Sequence, residues 1–112
     1  MHIEVTSKSL DKATVIYVDG DLTTMSSPDV ETEIKGILEG VATNVVINVE
    51  KVNFIASTGL RIILALGKRL SGDDLKLIVC SMNTTTKSVF EMSGFSQLFP
   101  IFETEEEALE SL

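Results

Sequence analysis

The amino-acid sequence predicts an α/β fold: a mostly parallel central sheet of about five strands, an N-terminal hairpin and four helices, in the order β-β-α-β-α-β-α-β-α. Three observations carry that expectation. The run Val45-Val46-Ile47-Asn48-Val49 is short, nearly continuous and β-branched, the pattern of a strand buried on both faces. Segments with apolar residues at helical spacing alternate with such strands, which points to parallel crossovers. Two apolar stretches near the start are separated by the polar residues 7–12, which suits a hairpin.

Taken in order, Ile3 and Val5, then Val15-Ile16-Tyr17-Val18, mark the hairpin strands, and Gly20-Asp21 ends the second. Ser27-Pro28 reads as a helix start, a hydroxyl N-cap followed by proline at the first helical position. Val30, Ile34, Ile37 and Leu38 form its apolar stripe, and Gly40 its stop. Beyond the central strand, residues 51–56 are a loop. Ser57 opens a second helix with Leu60, Ile63, Leu64 and Leu70 on one stripe. Gly72-Asp73-Asp74 is a turn and residues 75–80 a strand. Residues 83–92 read as a short helix with Val89 and Met92 turned inward, closed by Gly94-Phe95. Residues 99–102 are the last strand, and Thr104 with Glu107 makes a capping box for a helix over 105–112. Gly67 is read as a close helix contact, Cys80 as a small core residue, and Met25, Phe95 and Phe99 as core or rim.

Bulk composition narrows the function classes. The 112 residues, 44% of them hydrophobic, suit a single domain over residues 1–112. Lys and Arg total 9 against 17 Asp and Glu, a net charge of −8, which repels nucleic-acid phosphates and anionic lipid and favours a basic or neutral protein partner. One cysteine allows no internal disulfide and fits a reduced, cytoplasmic setting. The start of the chain alternates apolar and polar, unlike a signal peptide, and the apolar run at 62–66 falls far short of the ~20 residues of a transmembrane helix. No Cys/His cluster, P-loop or dinucleotide-binding glycine motif is present, so no metal or cofactor is expected. The one histidine, His2, sits at the terminus, which leaves a serine without an evident general base.

One constellation carries chemistry. In Asn53-Phe54-Ile55-Ala56-Ser57-Thr58-Gly59-Leu60, a buried strand feeds a loop that delivers Ser57 and Thr58 to a helix N-terminus. The first N–H groups of a helix lack intrahelical partners and carry about half a positive charge in sum, so they accept an anion. A phosphoryl group on Ser57 would sit there. Gly59 removes bulk where a partner or phosphate would approach, and Arg61 lies close enough to pair with the added charge. A purely local explanation stands beside this one, since Ser and Thr are favoured N-caps.

The segment Glu50-Lys51-Val52-Asn53-Phe54-Ile55-Ala56-Ser57-Thr58-Gly59-Leu60 resembles the signature of the STAS-domain anti-sigma-factor antagonists, where an apolar pair leads into Asp-Ser-Ser/Thr-Gly-Leu. Val18-Asp19-Gly20-Asp21-Leu22 is similar to that family's Gly-Glu/Asp-Leu turn. Val45-Val46-Ile47-Asn48-Val49 is similar to its Val-Val-Leu-Asp-Leu strand, and Ser88-Val89-Phe90-Glu91-Met92-Ser93-Gly94-Phe95 to its late Leu-x-x-Ser-Gly-Leu segment. The four motifs fall in the family's order and span essentially the whole chain. The chain departs in two places: Ala56 stands where the family has Asp, and Thr23 where a second acid is common.

The resemblance implies a regulator in a partner-switching pathway, and the protein is expected to be non-enzymatic, cytoplasmic and monomeric. In its unphosphorylated form it would bind an anti-sigma factor that is also a serine-protein kinase, and so free the sigma factor. Phosphorylation at Ser57 would end that contact, and a protein phosphatase would restore it. The expected contact residues are Thr23, Thr24, Met25 and Ser26 on one loop, with Ala56, Ser57, Thr58, Gly59 and Arg61 at the helix start. Two other readings remain open at this point. One is a STAS interaction subunit of a lipid-transport, secretion or stress-signalling complex without phosphorylation. The other is a small hydrolase using Ser57 as its nucleophile.

Overall fold

Strand β2 (Ala13–Asp19) sends Ile16 and Val18 to one face of the sheet and Val15 to the other, and this two-residue period organises the protein into two cores. In the computed structural model, which describes residues 3–112, β2 pairs antiparallel with β1 (Glu4–Ser9). His2 lies outside the described residues. The strands β3 (Asn44–Lys51), β4 (Leu77–Cys80) and β5 (Ile101–Phe102) follow in parallel, so the sheet order β1-β2-β3-β4-β5 is the chain order.

Three crossover helices connect the parallel strands: α1 (Ser27–Leu38), α2 (Ser57–Gly72) and α3 (Thr84–Met92). Their inward residues Val30, Ile34, Ile63, Leu66 and Phe90 share the larger core with Ile16, Ile47 and Val79. The short α4 (Glu105–Glu110) lies on the opposite face, where Ala108 packs with Val15, Val46 and Ile78. The fold is therefore the expected one, a mostly parallel sheet with an N-terminal hairpin and four helices.

A polar anchor holds α4 in place. Glu105 accepts from Lys8 Nζ at 3.3 Å and from Asn48 Nδ2 at 3.2 Å. Burial alone would raise the Glu105 carboxyl pKa, but hydrogen bonds from Tyr17, Asn48 and Lys8 outweigh it and hold the group below its ordinary value.

Several sequence expectations are corrected. Ser27 is not the N-cap of α1 but its first helical residue, and its hydroxyl donates to Thr23 O at 2.6 Å. Met92 points outward and is 88% exposed, because Thr86 and Phe90, four residues apart, form the inward face of α3. Strand β4 starts at Leu77 rather than 75, since Leu75 N–H is used to close α2 on Leu70 O at 2.8 Å. The last strand shrinks to Ile101–Phe102 because Phe99 turns into the core and stacks edge-on with Phe95. Helix α4 stops at Glu110. Gly67 is the close contact expected of it: a Cβ there would lie 2.1 Å from Phe99 Cε1.

Candidate functional site

The site forms where β2 and β3 end, at the carboxyl edge of the parallel strands, where this class of fold places its binding loops. Gly20 makes the turn possible. Its φ of 122° is open only to glycine, and its N–H donates to Lys51 O at 3.1 Å. The loop after β2 is then pinned to the loop after β3. Leu22 N donates to Phe54 O at 2.9 Å and Ala56 N to Leu22 O at 2.7 Å, a parallel bridge between Leu22 and Ile55. Asp21 Oδ1 takes the N–H of Asn53 at 3.0 Å. These bonds set the first turns of α1 and α2 side by side.

A chain of hydroxyls links the two helix starts. Ser27 gives its one proton to Thr23 O, so it accepts from Thr58 Oγ1, 3.1 Å away. Ser26 ties the 23–26 turn internally: it donates to Asp21 O at 2.7 Å and accepts from Thr23 N at 2.9 Å. Thr58 and Ser26 are thus engaged in holding the site together. Ser57 differs, being exposed and, among the described residues, making no side-chain hydrogen bond.

The α2 start is electrostatically open. Ala56 occupies the cap position with extended backbone but has no side chain to cap with, and the first turn holds no acidic residue. Gly59 and Leu60 N–H both reach Ala56 O, at 2.9 and 3.1 Å, which leaves the amides of Ser57 and Thr58 without a backbone acceptor. An anion bonded to Ser57 Oγ would meet those donors and the positive end of the helix dipole. Arg61 follows Ser57 by four positions on the same helix face and is exposed.

The structure brings the other expected residues to this edge in different roles. Thr24 and Met25 stand on the exposed turn, with Met25 78% exposed. Thr23 and Thr58 are half-buried. Ser26 is buried, so it shapes the turn and offers no contact surface. Gly59 is also buried and faces inward, where a Cβ would stand 2.9 Å from Leu22 Cβ and 3.1 Å from Ile55 Cγ2. Its lack of a side chain lets α2 approach that bridge and does not clear a path for a partner. Phe54 is the residue that sequence reasoning missed. It is 49% exposed on the loop beside Leu22 and, with Met25, gives the site an apolar rim. In the sequence it lies in the 51–56 loop, and nothing in the residue pattern marks an apolar loop side chain as outward.

The described site is an interaction-type site: an exposed hydroxyl at an uncapped helix start, between two loops that present apolar side chains. The chain belongs to the STAS domain family, whose pattern it matches over residues 4–108. Among its relatives are BtrV of Bordetella bronchiseptica, named as a candidate anti-sigma factor antagonist, and the anti-sigma-B factor antagonist of Staphylococcus aureus. The first is 26% identical over 106 residues, covering 95% of this chain and 91% of BtrV. The second is 24% identical over 103 residues, covering 92% and 95%. An anti-sigma factor antagonist from Mycobacterium paratuberculosis has a similar fold, with a TM-score of 0.88, 23% identity and coverage of 98% and 93%. So has the Bacillus cell fate determinant SpoIIAA in its phosphorylated form, with a TM-score of 0.72, 23% identity and 98% of each chain.

Proposed function

We propose that this protein is an anti-sigma factor antagonist whose binding is switched by phosphorylation of Ser57. The unphosphorylated form docks the 23–25 turn, the Phe54 loop and the start of α2 onto an anti-sigma factor with serine-kinase activity, and the sigma factor is released. The observation that carries this reading is the state of Ser57. It is an exposed, unbonded hydroxyl beside two free amides, while the neighbouring Thr58 hydroxyl is committed to Ser27. The names of the relatives support it. In this reading the protein is a binding module that acts in the cytoplasm as a monomer, with a phosphatase to reset it. No helix among the described residues is long and apolar enough to cross a membrane.

A phosphate adds about −1.5 to −2 charge at the centre of this contact. Free in solution, it is held by the helix amides and Arg61. In the complex it must be desolvated against a partner surface shaped for a neutral hydroxyl, which is costly. The missing Asp at Ala56 leaves the amides free to receive it.

The test is intact-mass measurement after incubation with ATP and host lysate, followed by peptide mapping. One added phosphate on Ser57 is expected, and a phosphate on Thr58 alone would overturn the assignment. Calorimetry with the anti-sigma partner should then show Ser57→Ala binding as the unmodified protein does and Ser57→Asp at least about tenfold more weakly. Equal affinities would remove phosphorylation from the mechanism.

A further inference from the structure

Helix α2 carries charge that the fold itself does not use. The chain has a net charge of −8, yet α2 holds both of its arginines, Arg61 and Arg69, together with Lys68, and contains no Asp or Glu. All three are exposed. Among the described residues, the cations that pair with carboxylates are Lys8, Lys51 and Lys87, so none of the three on α2 does. Helix electrostatics accounts for Lys68 and Arg69, which sit near the negative C-terminal end of the dipole. It does not account for Arg61, which lies near the positive end, where a cation is unfavourable.

These cations border a groove between α1 and α2. A depression of about 80 Å³ is lined by Ile34, Ile62, Ala65 and Leu66 and edged by Lys35 and Arg69. It continues into a shallower space of about 290 Å³ that shares Ile62 and Ala65 and ends at Thr58 and Arg61. Arg61, Ala65 and Arg69 follow one another at four-residue spacing, so they form one straight edge of the groove. Glu31 is the one carboxylate that lines it, against three cations.

We propose that this groove docks an acidic amphipathic helix of a partner protein. Apolar side chains one turn apart rest on Ile62, Ala65 and Leu66, and flanking carboxylates meet Arg61, Arg69 and Lys35. This is the helix-in-groove mode, with charge complementarity setting orientation and partner choice. A membrane or nucleic acid fits less well, because an extended polyanion would also face the rest of an acidic surface. The inference does not rest on phosphorylation of Ser57: Arg69 lies roughly three turns away along α2.

The experiment titrates the isotope-labelled full chain with a synthetic helical peptide carrying leucines one turn apart and glutamates on both flanks. Two companion peptides replace its glutamates by lysine or its leucines by serine. The glutamate peptide should shift amides in 31–38 and 61–69, and the double variant Arg61→Gln/Arg69→Gln should bind it about tenfold more weakly at an unchanged melting temperature. The lysine and serine peptides should bind much more weakly. Ser57→Ala should bind like wild type, so failure of the phosphorylation reading would leave this result standing. Shifts scattered over other faces, an unchanged affinity in the double variant, or equal binding of the serine peptide would overturn the proposal. So would tighter binding to vesicles of anionic lipid than to the glutamate peptide.

Discussion

Helices α2 and α3 approach their first turns with nearly the same backbone and end up in opposite states. Asn83, before α3, has φ −77° and ψ 175°, and its side chain accepts the N–H of Thr86 at 2.8 Å. Ala56, before α2, has φ −81° and ψ 168°, and it caps nothing. Helix α4 resembles α3, with Thr104 accepting from Glu107 N at 3.1 Å. The conformation at Ala56 is thus ready for a capping side chain, and only the residue type withholds it. A cap contributes about 1 kcal/mol, so α2 forgoes that stabilisation at a helix start that carries the exposed Ser57 hydroxyl. A capped helix start and free first-turn amides are alternatives here, and the sequence takes the second.

The strongest way to break the comparison is to disturb the packing beneath the open start. Gly59→Val would drive branched carbons into Leu22 and Ile55, which are themselves buried and whose nearest carbons would stand only 2.9 and 3.1 Å from a Cβ at position 59. Overpacking of this kind costs about 1–3 kcal/mol. The melting temperature should fall by roughly 4–8 °C for each kcal/mol in a domain of this size. A midpoint within a degree or two of wild type would show that Gly59 does not face inward. The glycine has no left-handed backbone, so the loss would come from contact and not from φ.

A pair of smaller changes sharpens it. Asn83→Ala should cost about 1 kcal/mol by orphaning the Thr86 amide, and Ala56→Asp should gain a similar amount by capping α2. Chemical denaturation of both variants measures the two shifts, which should be opposite in sign. Loss of stability in Ala56→Asp would mean that the α2 start is not a vacant cap. The same carboxylate would occupy the amides proposed to receive the phosphate.

Much of this was legible in the residues. The β-branched runs gave β2 and β3, the helical stripes gave α1 and α2, and the Thr104–Glu107 box gave α4. The hydroxyl at 57 was marked by its place between a buried strand and a helix. What escaped were directions. A short helix such as α3 offers two overlapping apolar spacings, and Phe90 with Thr86 took the inward side that Val89 and Met92 were expected to hold. Gly59 was misjudged and Phe54 overlooked for a related reason: a glycine or a loop phenylalanine has no period to say which way it faces. The Thr58–Ser27 link was out of reach because it joins residues 31 apart in sequence through a tertiary contact.

The smallest stability effect is expected at Ser57, the proposed site of phosphorylation. Ser57 is exposed and its side chain makes no hydrogen bond among the described residues, so Ser57→Ala should leave the unfolding free energy within about 0.5 kcal/mol of wild type. Ser57→Asp places a negative charge in the first turn of α2, where the dipole and the free amides favour it, and should stabilise the domain by about 0.3–1 kcal/mol. Binding to the anti-sigma partner should move the other way, unaffected by Ala and weakened by Asp. The two measurements must therefore dissociate. If Asp lowered both stability and affinity, the weaker binding would reflect damage to the helix start, and the charge itself would not be the switch. If Asp raised stability and lowered affinity, the open amides of α2 would be receiving the charge in the free protein while the partner rejected it.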